Sequence, residues 1–298
     1  MALQPKDPAV RQVQLARSLD EALLDCILPL IDRSDRIPPE ALAGATSTTP
    51  FFEVAAQEFL LRTPSGGYMH YAPGQGIATH EPAGRPEGDM HPFVVTSGFA
   101  AAAWLAGYVP LAANAAQLPD GQVLLIASST EDLREAMAVA MAEAAGLALA
   151  DAPVAIDPED PTQICTNGQS ITLRRMSNSA PEPPVRAGAR RLATTRPAID
   201  GTRVHRCAGM LCVVEAKTTS EKPGLERISM LQAIPEIRKH VFMPLVGTAI
   251  WGKETMGTAN MVLAGNLPML RWTLPEGQKV TADLAAGLLS QLLDPEAA

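Results

Sequence analysis

With 298 residues, 47% apolar and 19% charged, the chain can bury one large core, or one core with an appendage. Aromatics make up 4%, so its packing has to rely on aliphatic side chains. The net charge of −8 argues against general affinity for nucleic acid or for anionic membrane.

No apolar run approaches a membrane span, and the opening MALQPKDPAVRQ lacks the apolar core of a signal peptide. Cys26, Cys165, Cys207 and Cys212 fit no CxxC zinc pattern and are too few for a disulfide scaffold. They read as buried thiols in a reducing cytoplasm, and no metal site is expected.

Helical spacing of Val10, Val13, Leu19, Leu23, Ile27 and Leu30 predicts an amphipathic helix over Val10–Ile31, stopped near Pro38-Pro39. Phe51–Arg62 and Tyr68–Thr79 read as strands joined by Pro64-Ser65-Gly66-Gly67, the second broken at Gly74-Gln75-Gly76. Glu81–Asp89 is a loop, and Phe93–Gly107 a helix of small apolar residues. Tyr108–Ala116 and Val123–Ala127 are strands around Pro119-Asp120-Gly121. The helix Glu131–Ala145 and the strand Leu147–Asp157 follow. After Asn167-Gly168, Ser170–Leu173 enters a small hairpin, and the proline-rich Ser177–Gly188 is a loop. Met210–Ala216 is a strand, Leu225–Ile234 and Pro235–Phe242 are two helical pieces, and Thr255–Ala264 is a helix. Met269–Leu274 is a strand, and Thr281 caps a last helix through Leu293. This alternation implies a mixed α/β core.

The segment QVLLIASSTEDLREAMAVAMAEAAG, beginning at Gln122, joins an apolar strand to an alanine-rich helix, as a phosphate-binding loop would. A working loop needs glycines for a backbone cradle, a lysine for the β/γ oxygens and a hydroxyl for magnesium. Here the turn runs Ser128, Ser129, Thr130, Glu131, Asp132, Leu133, Arg134, Glu135. Ser128 with Glu131 is expected to form a capping box. Each carboxylate within about 5 Å of a phosphate would cost roughly 1–3 kcal/mol, so Glu131, Asp132 and Glu135 together outweigh a dipole worth about 1 kcal/mol. The turn is predicted to refuse phosphate.

The element order carries a resemblance. Phe93–Gly107 is followed by Gly107-Tyr108-Val109-Pro110-Leu111-Ala112-Ala113-Asn114-Ala115, then by the strand Val123–Ala127, the turn and its helix, and Leu147-Ala148-Leu149-Ala150-Asp151-Ala152. Leu211–Glu215 and Leu267–Leu274 close the pattern. From about Phe51 onward the chain resembles short bacterial relatives of the catalytic domain of HPr kinase/phosphorylase. That fold is also similar to the nucleotide core of phosphoenolpyruvate carboxykinase. Against the family motifs, Ala112 stands at the histidine, Arg134 at the loop lysine, Glu135 at the magnesium-binding hydroxyl, and Ser128 and Glu131 at loop glycines. Asp151 keeps one acid of a pair whose second is Ala152.

The resemblance implies an α/β, HPr-kinase/PEP-carboxykinase-like nucleotide-core fold with an N-terminal helical segment (1–48), a small β-rich subdomain (49–90) and the α/β domain (91–298). It implies a cytoplasmic pseudoenzyme with no cofactor, binding or scaffolding a protein or peptide as an accessory of a peptide-modifying biosynthetic system. The alternative is an active kinase or nucleotidyl transferase with ATP and magnesium, using Arg134 and Asp151 in a rearranged site.

A third reading rests on Val213-Val214-Glu215-Ala216-Lys217, the E-x-K strand ending of magnesium-dependent nucleases, with Asp200 as the second carboxylate. Arg174–Arg206 is a local basic stretch in an acidic chain, and Arg186, Arg190 and Arg191 are its candidate partner-binding residues. His70, His80 and His91, with Asp89 near them, read as ordinary histidines rather than metal ligands.

Overall fold

A computed structural model describes residues 38–55, 57–64, 66–72, 75–82, 90, 93–168, 198–201, 204–216 and 224–293, and the backbone of 171–175 and 190–194. The helix expected over residues 10–31, the loop at 177–188, Cys26, His91, Arg186 and Lys217 lie outside the described residues.

The first strands form an antiparallel meander of five: β1 (Ser47–Thr48), β2 (Phe52–Ala55), β3 (Glu58–Arg62), β4 (Tyr68–Ala72) and β5 (Gly76–His80). The single strand expected over 51–62 is a hairpin instead. Ala55 pairs with Glu58, so the chain reverses within two residues. Along β3, Phe59 and Leu61 join the main core while Leu60 packs with Leu42 and Ala55. This sheet is therefore covered on both faces.

Glu53 ties that second layer down. Its Oε2 accepts from the buried Leu42 N–H at 2.7 Å, and its Oε1 pairs with Arg62 at 2.7 Å. The Leu42 N–H holds the Glu53 carboxyl below its ordinary value of 4.5; burial opposes the shift, and Arg62 adds to it. A carboxyl lowered in this way contributes stability above pH 4.5, and the contribution is lost as pH falls through the lowered value. Glu53→Ala strands a buried N–H and is expected to cost about 1–3 kcal/mol at neutral pH. Denaturant unfolding at pH 7 and pH 3 checks both points, since the difference between variant and wild type should shrink in acid.

A π-helical turn (Val94–Gly98) leads into α1 (Phe99–Leu105), every residue of which is buried. The larger sheet holds nine strands: β6 (Val109–Leu111), β7 (Ala113–Gln117), β8 (Val123–Ser128), β9 (Leu149–Ala150), β10 (Val154–Ile156), β11 (Gln163–Thr166), β14 (His205–Glu215), β15 (Gly224–Arg227) and β16 (Met269–Leu274). Between β11 and β14 in the chain, β12 (Ile171–Arg175) and β13 (Arg190–Thr194) pair as a separate two-stranded sheet. In the large sheet β14 is central, parallel to β8 on one side and to β16 on the other.

Among the described residues the other helices are α2 (Glu131–Ala145), α3 (Met230–His240), α4 (Pro244–Asn266) and α5 (Ala282–Leu293). The six residues of β8 are all buried, as an apolar run between two covered faces requires. One face packs Leu124, Ile126, Leu211 and Val213 against Met137 and Met141 of α2 and Leu288 of α5. The other packs Leu125, Met210 and Cys212 against Trp104, Ile237 and Leu263, and the meander joins that same core. The protein is a mixed α/β structure, and among the described residues no helix is long and apolar enough to cross a membrane.

Other elements also depart from the sequence expectation. The strand over 108–116 is two strands, β6 paired with β10 and β7 paired with β8. The strand over 147–157 is two short strands around Pro153, which has no N–H to give a ladder. Leu225 belongs to β15 rather than to a helix, and α3 runs unbroken through Pro235. The helix over 255–264 is part of the longer α4, bent where Gly252 adopts φ 78° and ψ 160°.

Candidate functional site

The strand-to-helix turn sits where ligands bind in open α/β sheets. After β8 the chain crosses to α2 on one face, and after β14 it returns through β15 to α3 on the other. The carboxyl ends of two adjacent parallel strands with oppositely directed connections form a topological switch point.

The turn that fills this place contains no glycine. Ser128 is buried, Ser129, Thr130 and Asp132 are exposed, and Glu131, Arg134 and Glu135 are half-buried. The expected capping box at Ser128 is not formed. The N-cap is Thr130 (φ −119°, ψ 140°), which makes no side-chain capping bond, and Ser128 Oγ instead accepts from the Thr130 N–H at 3.4 Å. Ser128 still belongs to β8, and the helix begins two residues later than a cap at Ser128 would require. Glu131 and Asp132 stand in the first turn, where they take up the favourable end of the helix dipole.

Arg134 points away from the loop. Its Nε donates to Asn114 Oδ1 on β7 at 2.9 Å, and its Nη1 to the Ala112 carbonyl at 3.4 Å. Asp151 belongs to the same corner. The β6–β10 and β7–β9 ladders keep one register (Leu111 with Val154, Ala115 with Ala150), so Asp151 stands at the position opposite Asn114. Arg134 thus bonds Asn114, a residue that sequence reading did not single out, and register sets Asp151 on the neighbouring segment beside it.

A second group lies on the other face of the sheet. Register aligns Ala113, Ala127, Cys212, Arg271 and Glu226 across β7, β8, β14, β16 and β15. The two alanines leave room for α3 to lie close, and α3 brings Glu236 and His240, one helical turn apart, over Cys212. Ligating atoms of Cys212, Glu236 and His240 lie within 4.8 Å of one another. Glu236 Oε1 meets Lys239 at 2.9 Å and Arg271 at 3.7 Å, while Arg271 also holds Glu226 at 2.8 Å.

Burial, with the Glu236 charge adding to it, pushes the Cys212 thiol up to about 12. Burial also holds the His240 imidazole below its ordinary value; the Glu236 charge opposes this, while Arg134 and Lys239 reinforce it. Burial thus favours the uncharged thiol and the uncharged imidazole. His240 is tied to the first corner as well, since its carbonyl accepts from the Ala112 N–H at 2.6 Å. The members of this group come from a strand and a later helix, so the spacing of the cysteines does not reveal their proximity. The legible trace was Glu236 and His240 at i, i+4.

The remaining candidates are kept apart. Asp200 lies before β14, its carbonyl bonded to the ring of His205, the first residue of that strand, and Glu215 ends the strand and accepts from Gly277 N–H at 2.8 Å. Ten steps of a strand span roughly 33 Å, so these two carboxylates cannot share a metal. His70 pairs with Glu58 at 3.1 Å, and His80 packs on Tyr68 with ring centroids 4.5 Å apart. An open pocket of about 450 Å³ lies at the opposite end of β8 from the turn, among Gln117, Asp120, His205 and Arg206.

In the β12–β13 hairpin, Arg174 stands opposite Arg191 and Arg175 opposite Arg190. Compared with protein-family models and with curated protein sequences, the chain matches none.

Proposed function

We propose that the protein is a binding or scaffolding partner built on an HPr-kinase-type α/β core that no longer transfers phosphoryl groups. The observation that carries this reading is Arg134. At the position of a loop lysine, its guanidinium is committed to Asn114 Oδ1 and the Ala112 carbonyl, so the one cation of the turn holds α2 to the sheet. A turn without glycine, headed by Glu131 and Asp132, offers a phosphate neither a backbone cradle nor a favourable field. The placement of Arg134 and Asp151 beside Asn114 favours the active-enzyme alternative only if that corner opens to admit a nucleotide.

The partner face is the β12–β13 hairpin. Like charges set directly opposite on paired strands destabilise the pairing, on a scale of about 0.2–1 kcal/mol per pair. The register sets Arg174 opposite Arg191 and Arg175 opposite Arg190, which concentrates positive charge on the hairpin, and an acidic segment would offset it. The partner is therefore an acidic protein or peptide, and an accessory role in a peptide-modifying system fits that chemistry.

Reversing Arg186, Arg190 and Arg191 to glutamate tests the face, with a glutamate-rich peptide as the probe. Stability should stay within about 1 kcal/mol of wild type. Peptide binding should be lost, and the wild-type affinity should fall as salt is raised. Equal binding by the reversed variant would remove the hairpin from the interface.

A further inference from the structure

We propose that Cys212, Glu236 and His240 form a binding site for a zinc-class divalent cation, which clamps α3 onto the central strand β14. Three observations meet here. The three ligating atoms already lie within 4.8 Å of one another. Ligands held about 2.0–2.3 Å from a tetrahedral zinc sit roughly 3.3–3.6 Å apart, so the site closes by about an ångström without any change of backbone register. The donor set is sulfur, nitrogen and oxygen, which suits zinc and its neighbours in the first transition row and not magnesium or calcium.

The second observation is burial. His240 is 4% exposed and Cys212 is 1% exposed, so a cation held between them is shielded from competing water.

The third is the charge balance. Glu236 is a buried carboxylate whose two cationic neighbours, Lys239 and Arg271, both act on Oε1. Its second oxygen remains for a metal, and Lys239, with a side chain 60% exposed, can withdraw into water. On binding, the Cys212 S–H bond breaks. Its electron pair goes to the cation, its proton goes to solvent, and no oxidation state changes. Thiolate and carboxylate then neutralise the divalent charge, and a fourth position is left for water.

The test uses the full-length protein, stripped with a chelator and titrated with zinc against a competing indicator, then with cobalt as a spectroscopic probe. One equivalent of zinc should bind, release one proton and raise the thermal midpoint. Cobalt should give a sulfur-to-metal charge-transfer band and the intense visible bands of tetrahedral geometry. Cys212→Ser and His240→Gln should each weaken zinc binding by about 100-fold or more, and Cys212→Ser should abolish the sulfur band. Wild-type protein that gives no sulfur band with cobalt overturns the proposal, as does zinc affinity unchanged in both variants. If Cys212→Ser does not fold, the wild-type cobalt spectrum and His240→Gln decide between the two outcomes.

Discussion

Trp104→Ala is expected to lower stability by about 3–5 kcal/mol, the range for truncating a fully buried aromatic. Against a total of about 5–15 kcal/mol, that is enough to leave the protein partly unfolded at physiological temperature. Trp104 is completely buried at the end of α1, and three contacts converge on it. Its Nε1 donates to the Phe242 carbonyl at 3.1 Å, and its own carbonyl accepts from Trp251 Nε1 at 3.0 Å. Its ring meets Trp251 edge-on with centroids 4.8 Å apart. Gly247 lies flat against the same ring, where a Cβ would come within 2.6 Å of it. The residue therefore ties α1, the α3–α4 connection and α4 into one body. Trp104→Phe, which keeps most of the ring volume but not the Nε1 donor, should lose less. Denaturant unfolding of both variants, with the slope unchanged, gives the comparison directly.

Gly209→Ala is the second large effect, expected at about 2–6 kcal/mol. It combines backbone strain of about 1–3 kcal/mol with overpacking of about 1–3 kcal/mol. Gly209 adopts φ +145° at a register shift between Cys207 and Gly209 on β14. An added Cβ would stand 2.6 Å from the Pro268 carbonyl oxygen and 3.2 Å from Pro268 Cβ. The obstructing atom is backbone that already accepts from the Met210 N–H at 2.8 Å, so it cannot move aside without breaking the start of the β14–β16 ladder. Because β14 carries Cys212 and borders β8, the damage should reach the site corner. Unfolding midpoints report the cost, and a change of less than 1 kcal/mol would mean that this ladder is more pliant than its geometry implies.

Much of the fold was legible because its signals are local. Glu131–Ala145 forms the helix over the residues predicted for it, ended by Gly146 in the left-handed region at φ 65°, as a C-terminal glycine should be. Val123–Ala127 and Met269–Leu274 were readable as short apolar runs bounded by turn residues. What was not legible depends on partners distant in the chain. The π-helical entry to α1, the bend of α4 at Gly252 and the passage of α3 through Pro235 are set by packing rather than by propensity. At the site, the acidic and glycine-free character of the turn could be read from the letters alone. Thr130 as the cap, Arg134 reaching Asn114, and Cys212 beneath Glu236 and His240 could not, because each requires the register of strands on either side. The separation of Asp200 from Glu215 is the same lesson in reverse. A workable spacing in sequence became the full length of a strand.

Calorimetric titration with ATP, GTP and pyrophosphate in the presence of magnesium decides whether the turn at Ser128–Glu135 holds a nucleotide. No binding is expected from the wild type at physiological nucleotide concentrations, and none from Arg134→Lys. A lysine there still lacks a glycine cradle and still faces Glu131 and Asp132. A magnesium-dependent dissociation constant below about 100 μM, worth roughly 5.5 kcal/mol, would contradict the account and make the Arg134–Asn114–Asp151 corner a rearranged nucleotide site.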